Sequence, residues 1–267
     1  MGYVQSEAPQ HKVLLTQPIY VGMTEVTQAQ YQQVMGTNPS HFSSSGEGKD
    51  LVAKLETGNH PVELVSWNNA AEFCAKLSQQ EKLKPFYSQF DGNVTLMDGT
   101  GYRLPTEAEW ERACRAGTTT RLSCGNADQD LNQTGWFSNN SDLRTHAAGE
   151  LKANPFGLSD MHANVWEWVQ DGWDPAFYGK LDENAAVDPF SPFSTDSKRV
   201  IRGGSWGNYA NNCRSSYREA HDLRLGYNYI GFRVVLPVDA VKQSLSTQPA
   251  ATSNALEDKT LPDSPQS

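Results

Sequence analysis

The stretch from about Gly117 to Lys198 sets the terms for any fold this chain adopts. It consists mostly of Gly, Asn, Asp, Ser and Pro with isolated aromatics. Unstructured loops longer than roughly 15 residues are uncommon in compact domains. The stretch is therefore expected to be irregular but packed, pinned by its aromatic side chains, with a bound metal as one further way to hold it.

Clearer periodic signals flank it. "HKVLLTQPIYVGMTEVT" alternates apolar and polar residues in part and reads as strand structure. A helix follows from Thr27, which with Gln30 makes a capping box, and Gly36 stops it ahead of Pro39. A second helix is capped by Ser66 and carries Ala70, Phe73, Cys74 and Leu77 on one face. In a third, Thr106 and Glu109 form the capping box, Trp110, Ala113 and Cys114 the buried stripe, and Gly117 the exit. "RVIRGGSW" and "IGFRVVLPV" read as closing strands.

With 267 residues and seven Trp, the chain has enough apolar material for one large domain, taken as residues 1–238. Residues 239–267 have no aromatics and little aliphatic content, so a disordered tail is expected there. The net charge of −9, with no cluster of Lys and Arg, argues against a nucleic-acid surface. No stretch approaches the ~18 apolar residues of a membrane span, and the opening "MGYVQSEAPQ" has no signal-peptide character. As written the chain reads as cytoplasmic, unless its natural start lies upstream. Its four cysteines form no CxxC pair, which excludes a zinc ribbon or thioredoxin-type motif and favours free thiols.

Two segments carry candidate chemistry. In "NPFGLSDMHANVWEWVQDGW", Asp160 and Glu167 flank a turn. Ca²⁺ takes six to eight oxygens from carboxylates and exposed carbonyls, which such a turn can offer. The competing reading makes Glu167 a capping residue and Trp166 and Trp168 core anchors. In "RGGSWGNYANNCRSSYRE", Cys213 has Arg214 and Arg218 nearby, which favour a thiolate if they are also near in space. A lone Cys is otherwise a small buried hydrophobe, and a single thiolate is a poor Cu(I) site. Around it, Trp206, Asn208, Tyr209, Asn211, Asn212, Tyr217, Arg218, Tyr227 and Tyr229 form the kind of Tyr/Asn-rich set that makes adaptable contact surfaces. The six histidines are scattered and there is no GxGxxG, Walker-type or GxSxG motif.

"VGMTEVTQAQY", "HPVELVSWNNAAEFC", "GYRLPTEAEWERACRAG", "NPFGLSDMHANVWEWVQD", "RVIRGGSW" and "GFRVV", in that order, resemble the formylglycine-generating enzyme / sulfatase-modifying factor family. The resemblance implies a single α+β domain, C-type-lectin-like and poor in regular structure. It also implies a calcium site on the side chains of Asp160 and Glu167 and the carbonyls of Ala163 and Val165, and points to Asn139, Asn140 and Glu150 for a second calcium. Formylglycine synthesis in that family uses Cu(I) held by two cysteines that follow a GGS serine. Here the serine is Ser205, the first cysteine position is Asn208 and the second is Cys213. One soft ligand is thus replaced by an amide.

Three functions follow. The first is a repurposed, calcium-stabilised member that displays the 206–230 surface to a protein or peptide ligand, attached to or working with a signalling module. In a special case of it, the Asn-rich run resembles the diversified segment of retroelement-mutated variable proteins. The second is a formylglycine-generating oxidase in which Cys213 works with a partner such as Cys124. The third is another oxidative chemistry, disfavoured by the lack of an HxxxHxE-type motif.

Overall fold

The computed structural model describes residues 5–181, 185–192 and 197–241. Its elements in chain order are β1 (Val13–Leu14), β2 (Ile19–Val21), α1 (Gln28–Met35), α2 (Trp67–Gln80), β3 (Tyr87–Phe90), β4 (Asn93–Leu96), α3 (Glu107–Arg115), β5 (Trp166–Gly172), β6 (Ala186–Val187), β7 (Lys198–Arg202), β8 (Arg218–Asp222), β9 (Ile230–Gly231) and β10 (Val235–Pro237).

All three helices start where their caps predict. Thr27 Oγ1 accepts from the Gln30 amide at 3.3 Å, and the Gln30 side chain accepts from the Thr27 amide at 3.0 Å. Ser66 pairs in the same way with Asn69, and Thr106 with Glu109. α1 ends at Gly36 with φ +80°, the left-handed conformation in which a side chain would be strained. Glu109 also holds an ion pair, since Arg103 donates to both of its oxygens at 2.7 Å.

The main sheet has the order β8-β7-β5-β9, with β5 antiparallel to β7 and parallel to β9. β5 lies inside the stretch expected to be irregular, and all seven of its residues are buried. β10 pairs with β2, which joins the late chain to its beginning through Val235 and Val21. α1 and α2 supply aromatics to the core beside this sheet, with Tyr31 and Phe73 stacked 5.6 Å apart. Two of the fully buried indoles are satisfied by backbone carbonyls: Trp67 donates to that of Val169 at 2.8 Å and Trp168 to that of Val65 at 3.0 Å.

Residues 238–241 form a helical turn that buries Ala240, and the rest of the expected tail lies outside the described residues. The four cysteines are free. Among the described residues no helix is long and apolar enough to cross a membrane.

Two junctions of the sheet position the segments singled out above. The 160–165 turn feeds directly into β5, and β7 runs from Arg202 into the Gly203–Gly204 pair.

Candidate functional site

Gly203 and Gly204 take φ values of +98° and +81°. A Cβ on Gly204 would lie 2.5 Å from Cys213 Sγ, so the glycine is what lets the sulfur sit against the backbone. Cys213 is fully buried in a cluster with Leu122, Leu131, Phe137, Ala163 and Ala210, and Cys124 packs against that cluster. Burial drives its thiol well above the usual cysteine range. The arginines expected to favour a thiolate are committed elsewhere. Arg214 donates to both oxygens of Glu7 at 2.7 Å, and Arg218 to both oxygens of Glu107.

Ser205 Oγ donates to the Asn208 amide oxygen at 2.7 Å, so the group at the first family cysteine position is held by an internal bond. One residue that sequence reasoning passed over ties the two segments together. His162, fully buried, accepts from the Ser123 amide through Nε2 at 3.0 Å. That assigns its proton to Nδ1, which donates to the Cys213 carbonyl at 2.7 Å. Burial lowers its pKa to about 4, so the ring is neutral at ordinary pH.

The expected contact surface divides in two. Tyr209, at 74% exposure, and Gly207 and Asn211 face solvent, while Trp206, Asn208, Asn212, Tyr217, Tyr227 and Tyr229 are half-buried. Tyr227 and Tyr229 stack with centroids 5.3 Å apart, and His221 lies 4.6 Å from Tyr227. Trp206 donates to the Asn228 carbonyl at 3.0 Å and meets Phe42 edge-on. Arg218, expected on this surface, is instead interior at 1% exposure. Its position on β8 turns it inward to Glu107, between the rings of Trp173 and Tyr178.

A cleft of about 960 Å³ opens beside this region, its lining including Arg112, Arg115, Thr119, Phe177, Tyr178 and Arg214. Ser205, Asn208 and Cys213 do not line it.

The turn before β5 holds Asp160, Ala163 and Asn164 at φ values of +57°, +72° and +57°. Asp160 Oδ2 accepts from the Gly149 amide at 2.6 Å, and its Oδ1 has no partner. Glu167 is fully buried and heavily engaged. Arg233 donates to its two oxygens at 2.6 and 2.7 Å, and Trp110 Nε1 donates to Oε2 at 2.8 Å. That leaves it at most one lone pair, on Oε1, for a cation.

A third acid, unread in the sequence, faces this turn. Glu25, 1% exposed, has no hydrogen-bond partner on either oxygen and is close enough to Asp160 to feel its charge. Burial, then the charge of Asp160, raises its pKa well above the usual carboxylate range. Burial likewise lifts Asp160, to about 6.

A hard divalent cation fits this donor set, because three buried carboxylate oxygens are orphaned there. Among the described residues, however, no three His, Cys, Asp or Glu side chains converge as a ready cage. At the second calcium position, Asn140 Oδ1 accepts from the Phe137 amide at 2.8 Å and its Nδ2 donates to the Gly135 carbonyl at 3.1 Å. Glu150 lies 3.9 Å from His146, and Asn139 accepts from Ser138 at 3.4 Å.

A single irregular α+β domain, closed between β2 and β10 and carrying an acidic turn ahead of its central strand, defines the class. The family model described as "Sulfatase-modifying factor enzyme 1-like domain" matches residues 1–238, and the chain belongs to that family. Among curated relatives, the chaperone protein LppX of Paenibacillus barcinonensis is 30% identical over 81% of this chain and 79% of its own length. The formylglycine-generating enzyme of Streptomyces coelicolor is 30% identical over 70% of this chain, which spans only 55% of that enzyme. Among solved structures, Treponema denticola variable protein 1 superimposes with a TM-score of 0.75 at 34% identity, covering 85% of this chain and 86% of its own.

Proposed function

We propose that this chain is a repurposed member of the family, calcium-stabilised at the 160–167 turn, that presents its 206–230 face to a protein or peptide ligand. One observation carries the reading. The thiol that would do the chemistry is buried and protonated, while Gly207, Tyr209 and Asn211 beside it are exposed. A rigid scaffold under exposed Tyr and Asn is the arrangement of a contact surface. The relatives lend support: LppX, matched over most of its length, is called a chaperone, and the Treponema denticola neighbour a variable protein.

Formylglycine synthesis is the second reading, favoured by Cys124, which brings another sulfur against the Cys213 cluster. Against it stand the buried thiol and the amide at position 208, a poor substitute for a thiolate on Cu(I).

Mass spectrometry of a Cys-x-Pro-x-Arg peptide incubated with the protein, Cu(I) and O₂ separates the two. No aldehyde is expected. Conversion that is lost in Cys213→Ala would overturn the binding reading. The display role also predicts that Tyr209→Ala, Asn211→Ala and Glu219→Ala combined leave Tm within about 5 °C, since each exposed substitution seldom costs more than ~0.5 kcal/mol. A fall of 8 °C or more would mean that the segment holds the fold together rather than being displayed by it.

A further inference from the structure

We infer that the cleft between residues 7–15, α3 and residues 177–181 binds a small organic acid, its carboxylate on Arg112 and its apolar or aromatic body against Phe177 and Tyr178. This goes beyond the contact role proposed above and does not depend on it.

The site is built on one side of α3. Glu107, Ala108, Glu111, Arg112 and Arg115 all line the cleft, and steps of three and four residues bring helical side chains together. The lining also includes Leu15 and three rings, those of His11, Phe177 and Tyr178. Tyr178 packs 4.6 Å from His11, and the buried Arg218 guanidinium lies 4.3 Å from its ring centroid. At about 960 Å³ the cleft is the size of a small-molecule site.

Charge decides what the ligand carries. Four arginines and five acids line the cleft, and four of the acids are ion-paired. Glu7 is held by Arg214, Glu107 by Arg202 and Arg218, Glu111 by Arg115 and Arg202, and Asp128 by Arg121. The fifth, Asp171, is buried and accepts from the amides of Glu107 and Ser191. Arg202 and Arg218 do not line the cleft but are buried against its acids, which makes six arginines to five acids. One positive charge is left over even with Asp171 ionised. It belongs to Arg112, which has no carboxylate partner among the described residues.

The Arg112 guanidinium lies over the exposed Phe156 ring, 5.7 Å from its centroid. Stacking uses the face of the group and leaves its N–H edge for a ligand. Arg115 sits three residues on, beside Arg112 on the helix. Its Nε goes to Glu111 and its Nη1 to the Thr120 carbonyl, so Nη2 is a second donor without a described acceptor. Carbonyls at a helix C-terminus repel anions, but here they are taken. Asn154 Nδ2 donates to those of Ala113 and Cys114, the Ala116 amide to that of Arg112, and Thr118 to that of Arg115. A planar fork carrying one surplus charge matches a carboxylate, which it can bind through two parallel bonds. A phosphate monoester brings nearly two negative charges and would leave the site over-compensated.

The test is ligand-observed NMR titration of the whole chain with 3-phenylpropionate and with its uncharged counterpart, 3-phenylpropionamide. Wild type, Arg112→Gln and Phe177→Ala are compared, with near-ultraviolet circular dichroism to verify the fold. Arg112 is exposed, so its replacement should leave the fold intact. The expected result is saturable binding of the acid by wild type in the millimolar range or tighter, with the amide at least about fivefold weaker. Arg112→Gln should weaken the acid by at least about fivefold and leave the amide unchanged, whereas Phe177→Ala should weaken both. Equal affinity for acid and amide, or an acid affinity that Arg112→Gln does not move, overturns the placing of the carboxylate on Arg112. Tighter binding of phenyl phosphate than of 3-phenylpropionate overturns the single-charge assignment. Failure of the acid to bind wild type at any soluble concentration overturns the inference outright.

Discussion

Replacing Arg233 by methionine should cost about 3–5 kcal/mol, the penalty for stripping the partner from a buried charge. For a domain of this size that corresponds to a fall in Tm of roughly 6–20 °C. The size of the effect follows from what the guanidinium does. It is fully buried, binds both oxygens of Glu167, and caps the carbonyls of Gly22 and Ser159. Methionine fills much of the volume and satisfies none of these acceptors. Glu167 would keep only the Trp110 indole. The one positive charge beside the acids Glu25, Asp160 and Glu167 would also be lost. A scanning-calorimetry shift under 3 °C would mean that Glu167 is neutralised by something other than Arg233. Calcium adds a second readout. If millimolar Ca²⁺ restores a large part of the lost Tm, Glu167 has become a ligand once freed of its arginine.

The parts of this fold that are legible in the sequence are those decided by neighbours a few residues apart. Each capping box joins two residues three apart in the chain, so the starts of α1, α2 and α3 follow from local pattern, Thr27 with Gln30 and Thr106 with Glu109 among them. β5 does not read as a strand, because both its faces are buried and "WEWVQDG" lacks the alternation that marks a half-exposed strand. The β3–β4 hairpin, absent from the sequence reading, does carry a usable local signal. Asp91–Gly92 sits between two short strands, and both residues have positive φ, as a tight hairpin turn requires.

At the candidate site, the Asp160–Glu167 spacing marks the turn beside which the buried acids meet, yet the sequence cannot say what each acid does. Arg233 lies 66 residues beyond Glu167, and Glu25 is far from both in the chain. Their meeting is a consequence of the β2–β10 closure and the β5–β9 pairing. Arg218 misleads for the same reason. Its closeness to Cys213 in sequence says nothing about the side of β8 on which it falls.

The second large effect concerns Gly204, and it decides whether Cys213 is chemistry or packing. Gly204→Ala should destabilise by about 2–4 kcal/mol, from overpacking and from a side chain forced to positive φ. The added Cβ would meet Cys213 Sγ at 2.5 Å and the Cys213 Cα and Cβ at 3.1 and 3.2 Å. Cys213→Ala alone should cost on the order of 1 kcal/mol for the small cavity it leaves. The informative quantity is the coupling. If the sulfur is simply fitted against the glycine, the double variant recovers part of the clash. Its loss is then smaller than the sum of the singles by roughly 0.5–2 kcal/mol, the range for residues in contact. The backbone contacts and the φ strain remain, so recovery should be incomplete. Additive losses would show that Gly204 is needed for its conformation alone, leaving the sulfur free for another role. A thiol whose burial is matched by a neighbouring glycine is part of the core. With the thiol so committed, the proposed contact role falls to the exposed residues beside it, Gly207, Tyr209 and Asn211.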